Sequence, residues 1–525
     1  MKQKVKVILL LILLAVMINV VFFSLEYKKL QEKNISENMG VNNTEETLNL
    51  LVIAPDYFNP LVSQNKYIQN ISNLVFNGLT EIDSELKAKN CLAKTITPDA
   101  SLTVWEVVLN DSIYFHNGTK LTADDVIFTM DKIKDLGAES YFSYHIANIT
   151  AYEKISEDTI KITLAQSDNF LPNKLDFPIL SKSFYGNKDL RVSKEYVGTG
   201  AYKQTKVSTN EMILGKNQSY FQKTEGNIAK IIVKIAATSR PGFELLKLGE
   251  IDIADTNTEV GAYGRSAYYN SKYTTGIFEG IIVSPTNTAL AEENVRQAIL
   301  LGINRDQMIE KYLNGYGVST DLPINPSSYL NNRNLNKYAY NPERAQDLLD
   351  AADWSMKNGI REKEKAKLAF RLLINADTEL SKEKAEFIKE NLKSLGIEIQ
   401  IETKSSFDFN EAISKKNYDL ALTDWSISDY PEFLYHFETN AVNNVFGFSD
   451  KDYDYYVYLA QREYLEGKSK EYFDKLQEIL YRELPIMGLY FETSTVYYAK
   501  KIEEKLDSNM KNIYYGLENL TVSRQ

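Results

Sequence analysis

Apolar and polar positions along the chain follow two periods, and their succession predicts the elements. Leu48-Asn49-Leu50-Leu51-Val52-Ile53 is strand-like and ends in turn chemistry at Pro55-Asp56-Tyr57-Phe58-Asn59-Pro60. Ile71 to Leu79 is an apolar stretch closed by Asn77-Gly78, Trp105 to Leu109 reads as a strand, and Asn117-Gly118 reads as a turn. Thr122-Ala123-Asp124-Asp125 has the form of a capping box, with Val126, Met130 and Ile133 at helical spacing behind it. Asn294 to Leu313 predicts one helix, on Val295, Ala298, Ile299, Ile303, Ile309 and Leu313, ended by Gly315 and Gly317. Residues 366–422 read as strand Leu368–Ile374, amphipathic helix Ser381–Leu395 stopped by Gly396, and a strand in which Ile397, Ile399 and Ile401 alternate with Glu398, Gln400 and Glu402. A further strand follows at Tyr418–Leu422. Strand, helix, strand of this length implies a parallel pair with a crossover, hence an α/β fold.

The N-terminus carries a different pattern. Lys2, Lys4 and Lys6 precede an apolar run from Val7 to Phe23 that is broken only by Asn19. The run is near the lower limit of roughly 17–25 residues for a spanning helix. No small-residue cleavage site follows, and the single cysteine, Cys91, is too distant to carry a lipid. The early lysines favour a cytoplasmic N-terminus. The run also resembles a secretory signal peptide, charged start then apolar centre; the expectation is an uncleaved anchor over 1–25, with a cleaved signal as the alternative, a polar stalk over 26–46, and the remainder outside the cell.

Composition narrows the function. A balance of 60 basic against 71 acidic residues, net −11, argues against nucleic acid as a partner. One cysteine permits no intrachain disulfide and no cysteine-based metal site. The three histidines, His116, His145 and His436, are far apart in sequence, and no HExxH, phosphate-binding loop or Ser–His–Asp motif is present. Gly198-Thr199-Gly200-Ala201-Tyr202 lacks the third glycine and following helix of a dinucleotide loop. The expectation is therefore a protein with no catalytic residues, metal or cofactor.

From about residue 48 to 518 the chain resembles the family 5 solute-binding proteins of ABC transporters, the oligopeptide, dipeptide and nickel receptors. The densest match runs from Trp105 through Phe115-His116-Asn117-Gly118 and Thr122-Ala123-Asp124-Asp125-Val126. Others follow in order: Val197-Gly198-Thr199-Gly200-Ala201-Tyr202, Leu248-Gly249-Glu250-Ile251-Asp252, Asn294-Val295-Arg296-Gln297-Ala298, Tyr340-Asn341-Pro342-Glu343-Arg344-Ala345 and Leu395-Gly396-Ile397. The resemblance implies a bilobal, periplasmic-binding-protein-like fold of type II with an extra domain. Lobe I is expected over 47–75, 185–272 and 490–525, the extra domain over 76–184 and lobe II over 273–489.

The resemblance also implies a site. In peptide-binding members a strand is followed by glycine-tryptophan and then an aspartate, and that aspartate pairs with the peptide's α-amino group. Here Tyr418 to Pro431 supplies Trp425 and Asp429, with Asp424 in place of the usual glycine. A buried carboxylate needs a cation, and a peptide N-terminus supplies one; the alternative role for Asp429 is a loop carboxylate capping a turn. Tyr57, Phe58 and Asn59, after the first strand, and Asn444, beyond the tryptophan loop, are further candidates for ligand contact. The implied function is capture of oligopeptides by lobe closure and delivery to ABC permease subunits by a monomer at the outer face of the cytoplasmic membrane. A membrane-anchored sensor of peptide signals, or a receptor for a nickel complex, haem or an oligosaccharide, are the alternatives.

Overall fold

The strand Thr47–Ile53 buries most of its apolar side chains and pairs in parallel with Lys230–Ala236. Glu211–Lys216 and Tyr202–Val207 extend this sheet to four strands. A second sheet of four antiparallel strands holds Ala93–Pro98, Val104–Leu109, Thr159–Leu164 and Ile149–Lys154, in that spatial order. One hydrophobic core, drawn from residues between Leu48 and Val233, from Ile253 and from residues between Val496 and Val522, serves both sheets. Segment 76–184, expected as an extra domain, thus shares its core with the first lobe. The structure is a computed structural model and describes residues 46–238, 242–257, 268–335 and 338–523. The expected anchor over 1–25 and stalk residues 26–45 lie outside the described residues, among which no helix is long and apolar enough to cross a membrane.

The second body is built on a seven-stranded sheet. Its order is Ile253–Thr256, Ile486–Tyr498, Tyr269–Val283, Leu420–Ser426, Ala369–Asn375 and Glu398–Lys404, with Gly317–Ser319 beside Ile486–Tyr498. Ala369–Asn375 pairs in parallel with both Glu398–Lys404 and Leu420–Ser426, as the strand–helix–strand pattern required. The crossover helix Ser381–Lys393 buries Ile388 and Leu392, each worth roughly 1.5–3 kcal/mol. Alternate residues divide between the two faces: Leu372, Leu420 and Leu422 enter one core cluster, Leu373 and Ala421 the other. The two long strands Tyr269–Val283 and Ile486–Tyr498 pair along most of their length and run from one body into the other. The lobe boundaries expected at 272/273 and 489/490 fall inside these strands.

Sequence motifs spend their residues on scaffold. His116 donates its backbone N–H to the Gly198 carbonyl at 2.8 Å, and its ring lies 3.0 Å from the Gly200 carbonyl. The Gly198 N–H is 3.3 Å from the other ring nitrogen. The two densest motifs therefore bind each other. A Cβ at Gly198 or Gly200 would collide with the Val75 backbone, which is why glycine stands at both. Asp125 accepts from the Thr122 backbone N–H at 2.9 Å, closing the expected capping box. One expectation fails. The helix expected over Asn294–Leu313 is two, Glu293–Gly302 and Arg305–Leu313. Ile303 is extended between them, and the Asn304 side chain caps the second by accepting from Gln307 N. The break turns Arg305 inward, where it donates to the Thr320 carbonyl and to Asp321, both at 2.7 Å.

Candidate ligand-binding cleft

Where the two bodies meet, the contacts are polar at one end and aromatic at the other. Asp429, 5% exposed, comes from the second body, three residues past the strand Leu420–Ser426. The Asn173 amide, from the first body, donates to it at 3.0 Å and also reaches the Leu86 carbonyl at 3.4 Å. Lys511, on the returning C-terminal segment, is 2.9 Å from Asp176 and 3.8 Å from Asp429. His145 lies 3.1 Å from the other Asp176 oxygen. Burial pushes the Asp429 carboxyl above its ordinary range, with Lys511 pulling against it and Asp176 adding to it. For Asp176 burial is outweighed by Lys511 and His145, which hold it well below that range. The buried group thus sets two carboxylates against the Lys511 ammonium and the His145 imidazole, and both of these lie nearer Asp176. Among the described residues Asn173 supplies the one hydrogen bond Asp429 receives, although a carboxylate offers about four acceptor positions.

Beside this cluster the seam continues through Lys174, 2.7 Å from Asp168 and 3.6 Å from Glu432 of the second body. Tyr144 donates to the same Glu432. Phe170 is buried among second-body aromatics, 5.2 Å from Tyr430 and 5.7 Å from Phe473 between ring centres. A cavity of about 150 Å³ lies on the other side, lined by Leu86 of the first body, Ser271 and Thr274 of a crossing strand, Ser327 of the second body, and Asn509 and Met510 of the C-terminal return. It is short of the roughly 300–1,000 Å³ of small-molecule sites. An extended guest of several residues therefore requires the bodies to part further than this.

The strand leading to Asp429 has an open edge. It pairs with Tyr269–Val283 all the way from Leu420 to Ser426. On the other side Ala369–Asn375 meets it only at Leu420 and Ala421. Ile427 N donates to the Gly276 carbonyl, so by strand alternation Trp425 and Thr423 also turn their main-chain groups toward that neighbour. Asp424 and Ser426 turn theirs to the side Ala369–Asn375 has left.

The structure places the expected site residues in three neighbourhoods. Asp429 and Trp425 share the segment at the seam. Trp425 packs on Phe278, Phe433 and Phe446, at 5.8, 5.6 and 6.2 Å between ring centres. Tyr57, Phe58 and Asn59 sit in the loop after the first strand. Tyr57 is exposed, Phe58 packs on the first core beneath the Lys194 ammonium, and Asn59 is buried with its amide oxygen accepting from Leu61 N. Asn444 lies in a loop of the second body, where its amide donates to the Phe448 and Glu438 carbonyls at 2.8 and 3.0 Å. Sequence reading missed Asn173, Asp176 and Lys511. No local motif marks them, since they meet Asp429 only through the fold. Among the described residues no group of three His, Cys, Asp or Glu side chains could hold a metal ion.

Residues 87–444 match the model of the bacterial extracellular solute-binding proteins, family 5. The chain belongs to this family. Its curated relatives include the oligopeptide-binding protein AppA of Bacillus subtilis, 27% identical over 402 residues, covering 72% of this chain and 73% of that protein. Another is the nickel-binding periplasmic protein of Escherichia coli, 24% identical over 347 residues, covering 63% of this chain and 66% of that one. Among solved structures, that of Bacillus subtilis AppA with a nonapeptide superposes with a TM-score of 0.56 at 21% identity, covering 91% of this chain and 99% of that one. This family 5 chain accordingly has the α/β solute-binding fold, and the relatives it resembles are binding proteins rather than enzymes.

Proposed function

We propose that this family 5 protein captures peptides in the cleft between its two bodies and hands them unchanged to the permease of an ABC importer. The observation that carries the reading is Asp429: a buried carboxylate at the seam, pushed toward protonation, short of donors, and next to an open strand edge. A peptide's α-ammonium offers three N–H donors and the missing positive charge. Its main chain can add as a strand beside Asp424 and Ser426, leaving its side chains free to vary. The name of one curated relative, the oligopeptide-binding protein of Bacillus subtilis, agrees with this chemistry. Trp425 shapes the loop that carries Asp429, and Tyr57, Phe58, Asn59 and Asn444 supply or position the outer walls. Contacts on both bodies shift the population toward the shut form, which the permease would read. Residues 1–25 would hold the protein at the outer face of the membrane as a monomer.

Native mass spectrometry of the full chain, purified in detergent from its own host, tests the reading. A ladder of peptide masses that leaves on denaturation is expected. The bare protein mass in both states, with no heat on titrating a mixture of random tripeptides, would remove the peptide reading.

A further inference from the structure

The second body carries a further acidic group beside the open edge. Glu279 and Asp424 stand opposite each other on neighbouring antiparallel strands, in register. Because Ile427 and Gly276 form a hydrogen-bonded position, Glu279 and Asp424 fall on the alternate, closely spaced kind, with side chains on one face. Tyr490 opposes Glu279 from the other side, and Glu492 lies two residues along the same strand, so it shares that face. Lys384, near the start of the crossover helix, reaches down to Glu279 at 2.6 Å, and the Tyr490 hydroxyl donates to the same carboxylate oxygen at 2.5 Å. The other Glu279 oxygen is buried and has no hydrogen-bond partner, in a side chain from a residue only 5% exposed. The charged groups acting most on Glu492 are this one ammonium and three carboxylates, Glu279, Asp424 and Glu379. Four carboxylates thus face one buried lysine. Burial raises the carboxyls of Glu279 and Glu492 above their ordinary range, against the pull of Lys384. Asp424 and Glu379 are exposed and Glu492 half-buried, so the group reaches solvent at the end of the sheet where the parallel strands Ala369–Asn375 and Leu420–Ser426 finish.

Resting on the peptide reading, we propose that Glu279, Asp424 and Glu492 form a side-chain pocket for a cationic residue, lysine or arginine, of a peptide laid along the open edge. Asp424 joins the two functions: its main chain faces the edge and its carboxylate the pocket. The buried Glu279–Lys384 pair sets the floor, and the unpartnered Glu279 oxygen is an acceptor for an incoming N–H. The protein would accordingly select basic peptides among those with a free amino end.

Calorimetry on the full chain with four tetrapeptides tests this: alanine peptides carrying lysine at the second or third position, and their norleucine counterparts. At one of the two positions lysine should bind at least tenfold tighter than norleucine. The double variant Asp424→Asn, Glu492→Gln should bring that ratio below threefold. Equal affinities of lysine and norleucine peptides at both positions would overturn the pocket and leave the peptide reading standing. A ratio unchanged in the double variant would overturn it likewise. Absence of binding by all four would overturn the peptide reading and the pocket with it.

Discussion

Replacing Asp429 by asparagine keeps the side chain's volume and removes its charge. In the parent protein the carboxylate is 5% exposed, accepts from Asn173 at 3.0 Å and has its nearest ammonium, Lys511, at 3.8 Å. That ammonium is closer to Asp176, at 2.9 Å, so Asp429 is free to bind a second cation. An ammonium about 3 Å away, at an effective dielectric constant near 20, interacts with it by roughly 5 kcal/mol. Dehydration of the ligand ammonium cancels part of this, and losing one partner of such a pair costs roughly 2–5 kcal/mol. About 3 kcal/mol, or a little over hundredfold in affinity, is the expected loss for a tripeptide with a free amino group. N-acetylation of the peptide should cost the parent a similar amount and the variant little, because the charge partner is already gone. Titration calorimetry of both proteins with both peptides completes the cycle. Binding of the free peptide by the variant within threefold of the parent, or equal affinity of the parent for free and acetylated peptides, would exclude Asp429 as the partner of the amino group.

Three further outcomes follow from the same geometry. Lys511→Met leaves Asp176 and Asp429 buried together with only the His145 imidazole beside them, a change of roughly 3–5 kcal/mol if both stayed ionised; the folded state should instead retain a proton, on a carboxyl or on His145, that the unfolded chain gives up, so urea unfolding should show stability falling from pH 5 to pH 8 more steeply than in the parent. Phe170→Ala removes a buried ring from between Tyr430 and Phe473, at roughly 3–5 kcal/mol for a fully buried phenylalanine, and small-angle scattering should show a larger radius of gyration as the bodies part. Burial lowers His116 to about 4 from its ordinary 6.5, so the folded state binds fewer protons than the unfolded chain between those values; stability should fall by up to about 3 kcal/mol as pH drops from 6.5 toward 4, and His116→Gln should flatten that slope in thermal unfolding.

The parts of this molecule that depend on local pattern were legible before any coordinates. The alternation at Ile397, Ile399 and Ile401, the crossover helix and the capping box at Thr122 all rest on periods and neighbours within a few residues. The break at Ile303-Asn304 is hidden in the apolar spacing, which continues across it, although the Asn304 cap and the inward-turned Arg305 both mark it in the structure. The long strands crossing between the bodies were cut at 272 and 489, since nothing in composition changes there. The site was half visible: Asp429 and Trp425 stand in one recognisable segment, whereas Asn173 lies 256 residues away and meets Asp429 only through packing of the two bodies. The open edge depends on where Ala369–Asn375 leaves its neighbour, a matter of sheet twist that no residue pattern records.

The central claim is that a peptide occupies the seam and completes the strand edge beside Asp429. Hydrogen exchange of the full chain, read at single amides with and without a saturating basic tetrapeptide, tests it most directly. Slowed exchange is expected at the Asp424 and Ser426 amides, which face the open edge, and in residues 168–176 across the seam. Unchanged exchange at both places under saturating peptide would contradict it.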